Sequence, residues 1–366
     1  MAEERTLQWR PADIGWRAAA GLAAIAGFLV FVVAGLLFPG TIAGTLLGIV
    51  FATGTLSSAL RLSVPIALAS LGGIFSEKSG VINIGLEGLL IISAFVAVLA
   101  TWATGSLWVG FLGGILASTA FALLFAVVCI EFRADQIIAG LAVWLIALGL
   151  APFVAQLIFN GPNTASVQTP PTLTELVAGI PVVAGVLDAL AGLPTVGALF
   201  DAGVSVYLMF VMVAGAWYVL NRTRFGRWVR ASGENPEALA TAGVSVSRVR
   251  YAAVTLSGIL CGMGGSALSL GLGQFTGNGP TMVNGKGFIA IVASLFGTYN
   301  PVGAFLSTLL FAGLDALQTA LQLENIGVPN PLIRIIPFVM VIVVLALFGR
   351  TRIPAAAGEH FESGEE

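Results

Sequence analysis

Residues 76–90 read SEKSGVINIGLEGLL, and this stretch sets Glu77, Lys78, Asn83 and Glu87 into a chain that is almost wholly apolar on both sides. Charges inside an apolar run cost free energy unless something uses or pairs them. The surroundings make the question sharp. The chain has 366 residues, 57% hydrophobic and 9% charged, with mean hydropathy +0.99. A soluble domain carries roughly 25% charged residues, so this chain could not cover a water-facing surface. Its apolar segments are continuous runs rather than alternating strands of about 10 residues, which excludes a barrel and predicts an all-α, polytopic membrane protein. The 46 glycines suit close helix packing in lipid.

Apolar runs lie near 17–38, 56–76, 81–101, 106–130, 136–159, 204–220, 250–271, 287–298, 302–320 and 332–349. About ten transmembrane helices are therefore expected. The run 287–298 is shorter than the ~17 residues a span needs, which predicts a half-helix or a steeply broken span. The stretch 42–54 reads as a partial helix. The first run is too long for a cleavable leader and lacks a small-residue cleavage site, so no signal peptide is expected.

Basic residues fix the expected orientation. Arg5, Arg10, Arg17, Arg133, Arg222, Arg224, Arg227, Arg230, Arg248, Arg250, Arg350 and Arg352 fall on one side if ten spans leave both termini cytoplasmic. Arg61, Lys286 and Arg334 then fall toward the outside, with Lys78 at an inner turn. Residues 1–16 become a cytoplasmic N-terminus, 17–349 the transmembrane domain and 350–366 an acidic cytoplasmic tail. Residues 160–203, which include Pro170, Pro171, Pro181 and Pro194, form a packed extracytoplasmic loop, and 221–249 the cytoplasmic loop.

Two segments share a plan. RLSVPIALASLGG, KSG and VINIGLEGLL in the first half match RYAAVTLSGILCGMGG, NGKG and FIAIVASLFG in the second. On this topology the first begins outside and the second inside. That is the plan of an inverted repeat, with polar groups near the midplane.

Asn83 and Glu87 stand four residues apart, so a continuous helix would put them on one face. An ionisable residue a turn or two inside the membrane points to function. Two readings stay open: Glu87 lines a solute path, or it pairs with Arg61 or Lys286 and holds helices together. Glu77 and Lys78 sit at a helix boundary, where a solvated turn explains them. NGPTMVNGKGF at 278–288 imitates a phosphate loop and fails the test. Pro280 stands where Gly is required, and Gly287 replaces the hydroxyl residue. It reads instead as a glycine turn opening the half-helix, whose positive end could face a polar solute. No catalytic constellation, metal-ligand cluster or nucleic-acid signature is visible. Cys129 and Cys261 read as small core residues, and His360 lies in the tail.

In the inner loop, Asn235-Pro236 precedes Glu237-Ala238 and ends at Gly243. Pro suits the first turn of a helix and Gly its end. Glu234 and Glu237 stand near its positive end. The alternative is an ordinary surface loop, with the basic run TRFGRWVR anchoring at the membrane surface.

SEKSGVINIGLEG, TRFGRWVRASGENPEALATAGVSVSRVRY and GKGFIAIVASLFGTYNPVGA resemble the permease subunits of ATP-binding cassette (ABC) importers. The branch is that of branched-chain amino acid and simple-sugar permeases, in its nucleoside (basic membrane protein-type) subgroup. The resemblance covers about residues 56–350. It implies a type II importer permease fold of two inverted halves. It also implies a separate ABC ATPase that holds ATP and Mg, a second homologous permease and an extracytoplasmic solute-binding lipoprotein in the plasma membrane. By the same resemblance, Glu234, Asn235, Pro236, Glu237, Ala238 and Gly243 couple to the ATPase. The family pattern has a small residue where Leu239 stands here. Arg61, Asn83, Glu87 and Lys286 are the candidates for the translocation pathway. No cofactor or catalytic residue is expected on this chain. Simple sugars or branched-chain amino acids as solutes, an ion-coupled secondary transporter, and a non-transporting scaffold remain the alternatives.

Overall fold

The computed structural model describes residues 26–361, apart from 28, 31 and 194 and most of 324–352, where only 329, 332, 335, 339 and 342 are described. The segment 1–16, the start of the first apolar run, most of the last one and residues 362–366 lie outside the described residues. So do Arg5, Arg10, Arg17, Arg334, Arg350 and Arg352. Among the described residues every named element is a helix.

Among the described residues, seven helices are long and apolar enough to cross a membrane. They are α2 (Thr53–Lys78), α3 (Leu86–Thr104), α4 (Leu107–Ile130), α5 (Gln136–Phe159), α9 (Val204–Arg222), α12 (Val246–Leu272) and α14 (Pro301–Leu323). Each matches an expected run. The run 287–298 appears as α13 (Lys286–Phe296), 11 residues long and too short to span. The stretch 42–54 holds α1 (Ile42–Phe51). The chain is a multi-pass membrane protein.

Burial separates two classes of span. The most apolar windows of α2, α3 and α12 are 78%, 72% and 72% buried, whereas those of α4, α5, α9 and α14 are 28–33% buried. The first three form the centre, and the others present apolar side chains such as Leu116, Ile138 and Phe153 outward. In lipid that exposure costs nothing, and small residues set the contacts instead. Gly258 of α12 lies against Ala122 and Thr119 of α4, and Gly262 against Ile115. Ser118 Oγ donates to Gly258 O at 2.8 Å across the same seam.

α2 and α12 cross at glycines. A Cβ on Gly72 would lie 2.9 Å from Ser257 O, and one on Gly264 would lie 3.1 Å from Pro65 O. Position rises along α2 as it falls along α12, so the two helices are antiparallel. When Gly72-Gly73 is laid on Gly264-Gly265, Pro65 falls on Ser257. The two contacts are then images of each other.

Residues 160–203 carry structure of their own. They hold α6 (Leu173–Val177), α7 (Pro181–Ala191) and α8 (Gly197–Phe200). Thr172 and Glu175 close a capping box on α6, which satisfies two end donors reciprocally. Thr164 N–H donates to Phe275 O at 3.0 Å, and Val167 N–H to Gly273 O at 2.7 Å. The loop is thereby clipped to the segment that leads down to α13.

Candidate functional site

After Lys78 the chain folds back on itself. Leu86 packs beside Gly73, five residues before the end of α2, so α3 begins roughly 7.5 Å inside that end at 1.5 Å per residue. Asn83 sets the turn. Its Oδ1 accepts from Gly85 N–H at 3.0 Å, and its Nδ2 donates to Ser257 Oγ at 3.5 Å. This local side-chain bond competes with helix formation. The helix starts only at Leu86. Asn83 and Glu87 therefore do not share a helix face, contrary to the spacing argument.

Glu87 is 2% exposed. Its Oε1 accepts from Gly285 N–H at 2.7 Å and its Oε2 from Gly287 N–H at 2.6 Å. Both donors belong to the start of α13, where free N–H groups and the helix dipole favour an anion. A carboxylate accepting two backbone N–H groups makes short, charge-assisted bonds. Gly287 has no alternative here, because a Cβ would run into the Glu87 backbone. Gly285 holds φ +83, a conformation that suits glycine. The Gly-Lys-Gly turn is thus the receptor for Glu87.

Lys286 is 8% exposed and donates Nζ to Val283 O at 3.3 Å. It lies beside Glu87 in the interior. Arg61 is not part of this group. Gly72 and Asn83 meet at Ser257, and Arg61 lies eleven residues from Gly72 along α2, roughly 16 Å away. It lines a separate cavity of about 350 Å³ with Ser57, Ser58, Thr169 and Asp201. The expected pairing of Glu87 with Arg61 is thereby excluded, whereas Lys286 lies beside it and the hydrogen-bond donors are backbone amides.

The other end of α13 is tied as well. The buried Glu77 carboxylate faces the Tyr299 side chain in the turn after α13. Burial, with the Glu77 charge beside it, pushes the Tyr299 phenol up from its ordinary value, so it stays protonated and able to donate. Glu77, read from sequence as a solvated residue, is 5% exposed. The two carboxylates of the opening stretch therefore hold the two ends of the half-helix.

The same stretch meets the segment 221–249. α10 (Arg224–Glu234) and α11 (Pro236–Thr241) are separated by Asn235. Asn235 Oδ1 caps α11 by accepting from Ala238 N–H at 2.9 Å, and Pro236 occupies its first turn. Gly243 follows at φ +77. Glu234, Asn235, Glu237, Ala238 and Gly243 are exposed, with Pro236 half-buried. Leu239, where the family pattern has a small residue, is 5% exposed and packs with Val229, Val246 and Val249. It points inward, so the departure leaves the outer face of α11 unchanged. At the root of this element Ser232 Oγ donates to Ser79 O at 2.8 Å. Gly233 sits so close to Lys78 O that no side chain would fit.

A continuous chain of contacts results. It runs from α11 through Ser232-Gly233 to Lys78-Ser79, along the turn to Glu87, and across to α13. The family model for the branched-chain amino acid transport system / permease component matches residues 55–345. The chain belongs to this permease family. It is 35% identical over 312 residues to the nucleoside ABC transporter permease protein NupC of Lactococcus lactis subsp. cremoris, covering 82% of this chain and 93% of that relative. It is 33% identical over 313 residues to the guanosine ABC transporter permease protein NupQ of Bacillus subtilis, covering 83% and 94%. The glucose ABC transporter permease protein TsgB13 of Haloferax volcanii is 27% identical over 319 residues, covering 82% and 79%. No solved structure matches the chain.

Proposed function

We propose that this chain is the transmembrane subunit of an ATP-driven importer for nucleosides, working by alternating access. The observation that carries the mechanism is the unbroken path from the exposed α11 to the buried Glu87–α13 clamp. A separate ABC ATPase, holding ATP and Mg, would engage Glu234, Asn235, Pro236, Glu237, Ala238 and Gly243. Closure of the ATPase dimer would shift α11, and the Ser232–Ser79 joint would pass that shift to the turn at 79–85. Because Glu77 and Glu87 grip both ends of α13, the half-helix would follow. Asn83, Glu87 and Lys286 would then act as positioning groups at the gate, and Arg61 would line the outer mouth of the path.

The reciprocal Gly72–Ser257 and Gly264–Pro65 contacts support an arrangement of two inverted halves; we take these as ten spans, with both termini cytoplasmic and residues 160–203 outside. A second permease would complete the passage, and a solute-binding lipoprotein would deliver the solute. The two relatives at 33–35% identity carry nucleoside and guanosine in their names, which supports that class of solute. A second reading, a simple sugar, is favoured by the glucose relative. Uptake of a radiolabelled nucleoside by cells expressing the intact importer separates them. Competition by unlabelled nucleosides supports the first reading. Competition by glucose or fructose with no effect of nucleosides supports the second and removes the first.

A further inference from the structure

The described part of the tail, residues 353–361, plays no role in the mechanism so far, yet it is built into the fold. Ala356 N–H donates to Gly233 O at 2.8 Å, and Gly358 N–H donates to Gly80 O at 3.0 Å. Pro354 and Ala356 are buried, and Phe361 packs against the core that holds Leu239. Arg250, near the start of α12 and 4% exposed, donates Nη1 to Glu359 O at 2.8 Å. Its Nε and Nη2 have no hydrogen-bond partner among the described residues. Charge counting places Arg250 with the surface arginines of the inner loop. It is instead a buried cation whose one hydrogen bond goes to the tail.

The glycines on this path are shaped for the tail. Gly80 takes φ +95, and a Cβ there would lie 2.9 Å from Arg250 Nη2. Gly358 takes φ +84, and a Cβ there would lie 3.1 Å from the Ile82 side chain. The tail therefore touches both sides of the joint between the inner loop and the 79–82 turn. Its two N–H groups satisfy Gly233 O on one side and Gly80 O on the other. Buried carbonyls left without donors are costly, so each of these bonds resists separation of the two segments.

We propose that residues 353–361 form a strap that makes the root of the coupling element and the 79–82 turn move as one body, with Arg250 as its anchor. The inference rests on the coupling reading of residues 234–243. Without the strap the joint keeps the Ser232–Ser79 bond and the Gly233–Lys78 packing. Motion imposed on α11 is then partly lost as slip at the joint and does not reach Asn83 and Glu87. The strap is a positioning element and touches no solute.

The test uses the whole importer in proteoliposomes, with ATP hydrolysis and nucleoside import read on the same preparation. Two variants carry it: a chain ending at Arg352, and Arg250→Met, which has no donor. Hydrolysis stays close to the unaltered level, while import per ATP falls about fivefold or more, the shift expected from losing one or two buried hydrogen bonds. Arg250→Lys, which can still donate to a carbonyl, recovers most of the ratio. A proportional fall in import and hydrolysis, or an unchanged ratio, overturns the strap. If the shortened chain fails to assemble, Gly358→Ala in the full chain reads the same ratio. Failure of the coupling reading looks different: no ATPase co-purifies with the unaltered chain, or Gly243→Pro leaves import intact. Either result removes that reading and the strap with it.

Discussion

Replacing Glu87 with alanine removes both acceptors at the start of α13 and leaves Gly285 N–H and Gly287 N–H buried without partners. Each buried donor left unsatisfied costs roughly 1–3 kcal/mol, so the clamp as a whole is worth about 2–6 kcal/mol. Glu87→Gln is the sharper experiment. The amide keeps one oxygen and turns an NH₂ toward the second N–H, donor against donor. One bond survives and the charge assistance is lost, so roughly half of the alanine penalty or somewhat more is expected. Thermal unfolding of the purified chain in detergent gives the stability, and nucleoside uptake at equal membrane abundance gives the function. The order expected is unaltered chain, then Gln, then Ala in both assays. Because the clamp positions rather than binds, the maximal rate should fall while the apparent KM moves little. An alanine variant with unchanged unfolding and unchanged uptake would refute the clamp. A variant with normal maximal rate and a raised KM would make Glu87 a solute contact instead.

Other perturbations follow from the same contacts. Gly287→Ala drives a methyl group into the Glu87 backbone and should cost about 1–3 kcal/mol, read as a lowered unfolding temperature. Asn235→Ala removes the cap on α11 and should cost about 1 kcal/mol locally. Its effect should appear as faster proteolysis of the inner loop and lower import per ATP. Gly243→Pro imposes a φ near −65° where the chain needs +77°, so import should be abolished with membrane insertion intact, read by uptake and by membrane fractionation. Tyr299→Phe removes the hydroxyl facing the buried Glu77 and should lower stability by roughly 1–3 kcal/mol. Tyr299→Phe combined with Glu77→Gln should recover part of that loss.

Composition and run length made the spans legible, because a lipid environment writes its demand directly into the sequence. The half-helix was legible from its length, and α11 from Asn235-Pro236 and Gly243. Partner assignment was only partly legible. Glu87 suggested a cation, since opposite charges are the visible complement of a carboxylate. Lys286 does lie beside it, but the carboxylate's hydrogen bonds come from two backbone N–H groups about two hundred residues away, and a backbone amide carries no side-chain signature. The only trace was Gly285-Lys286-Gly287, where Gly287 is required by close approach. Asn83 misled through its spacing, because its side chain ends the turn before the helix begins. Arg250 and Glu77 misled because charge counting assigns every polar residue near a span end to water. The fold-back after Lys78 and the strap of residues 353–361 carry them inside instead.

The most direct test of the account is ATP-dependent nucleoside uptake into proteoliposomes that hold this chain with the proteins that co-purify with it in mild detergent. The account predicts a co-purifying ABC ATPase and uptake that stops when ATP is withheld, with no response to a proton or sodium gradient. Uptake that proceeds without ATP and follows an imposed ion gradient would contradict it.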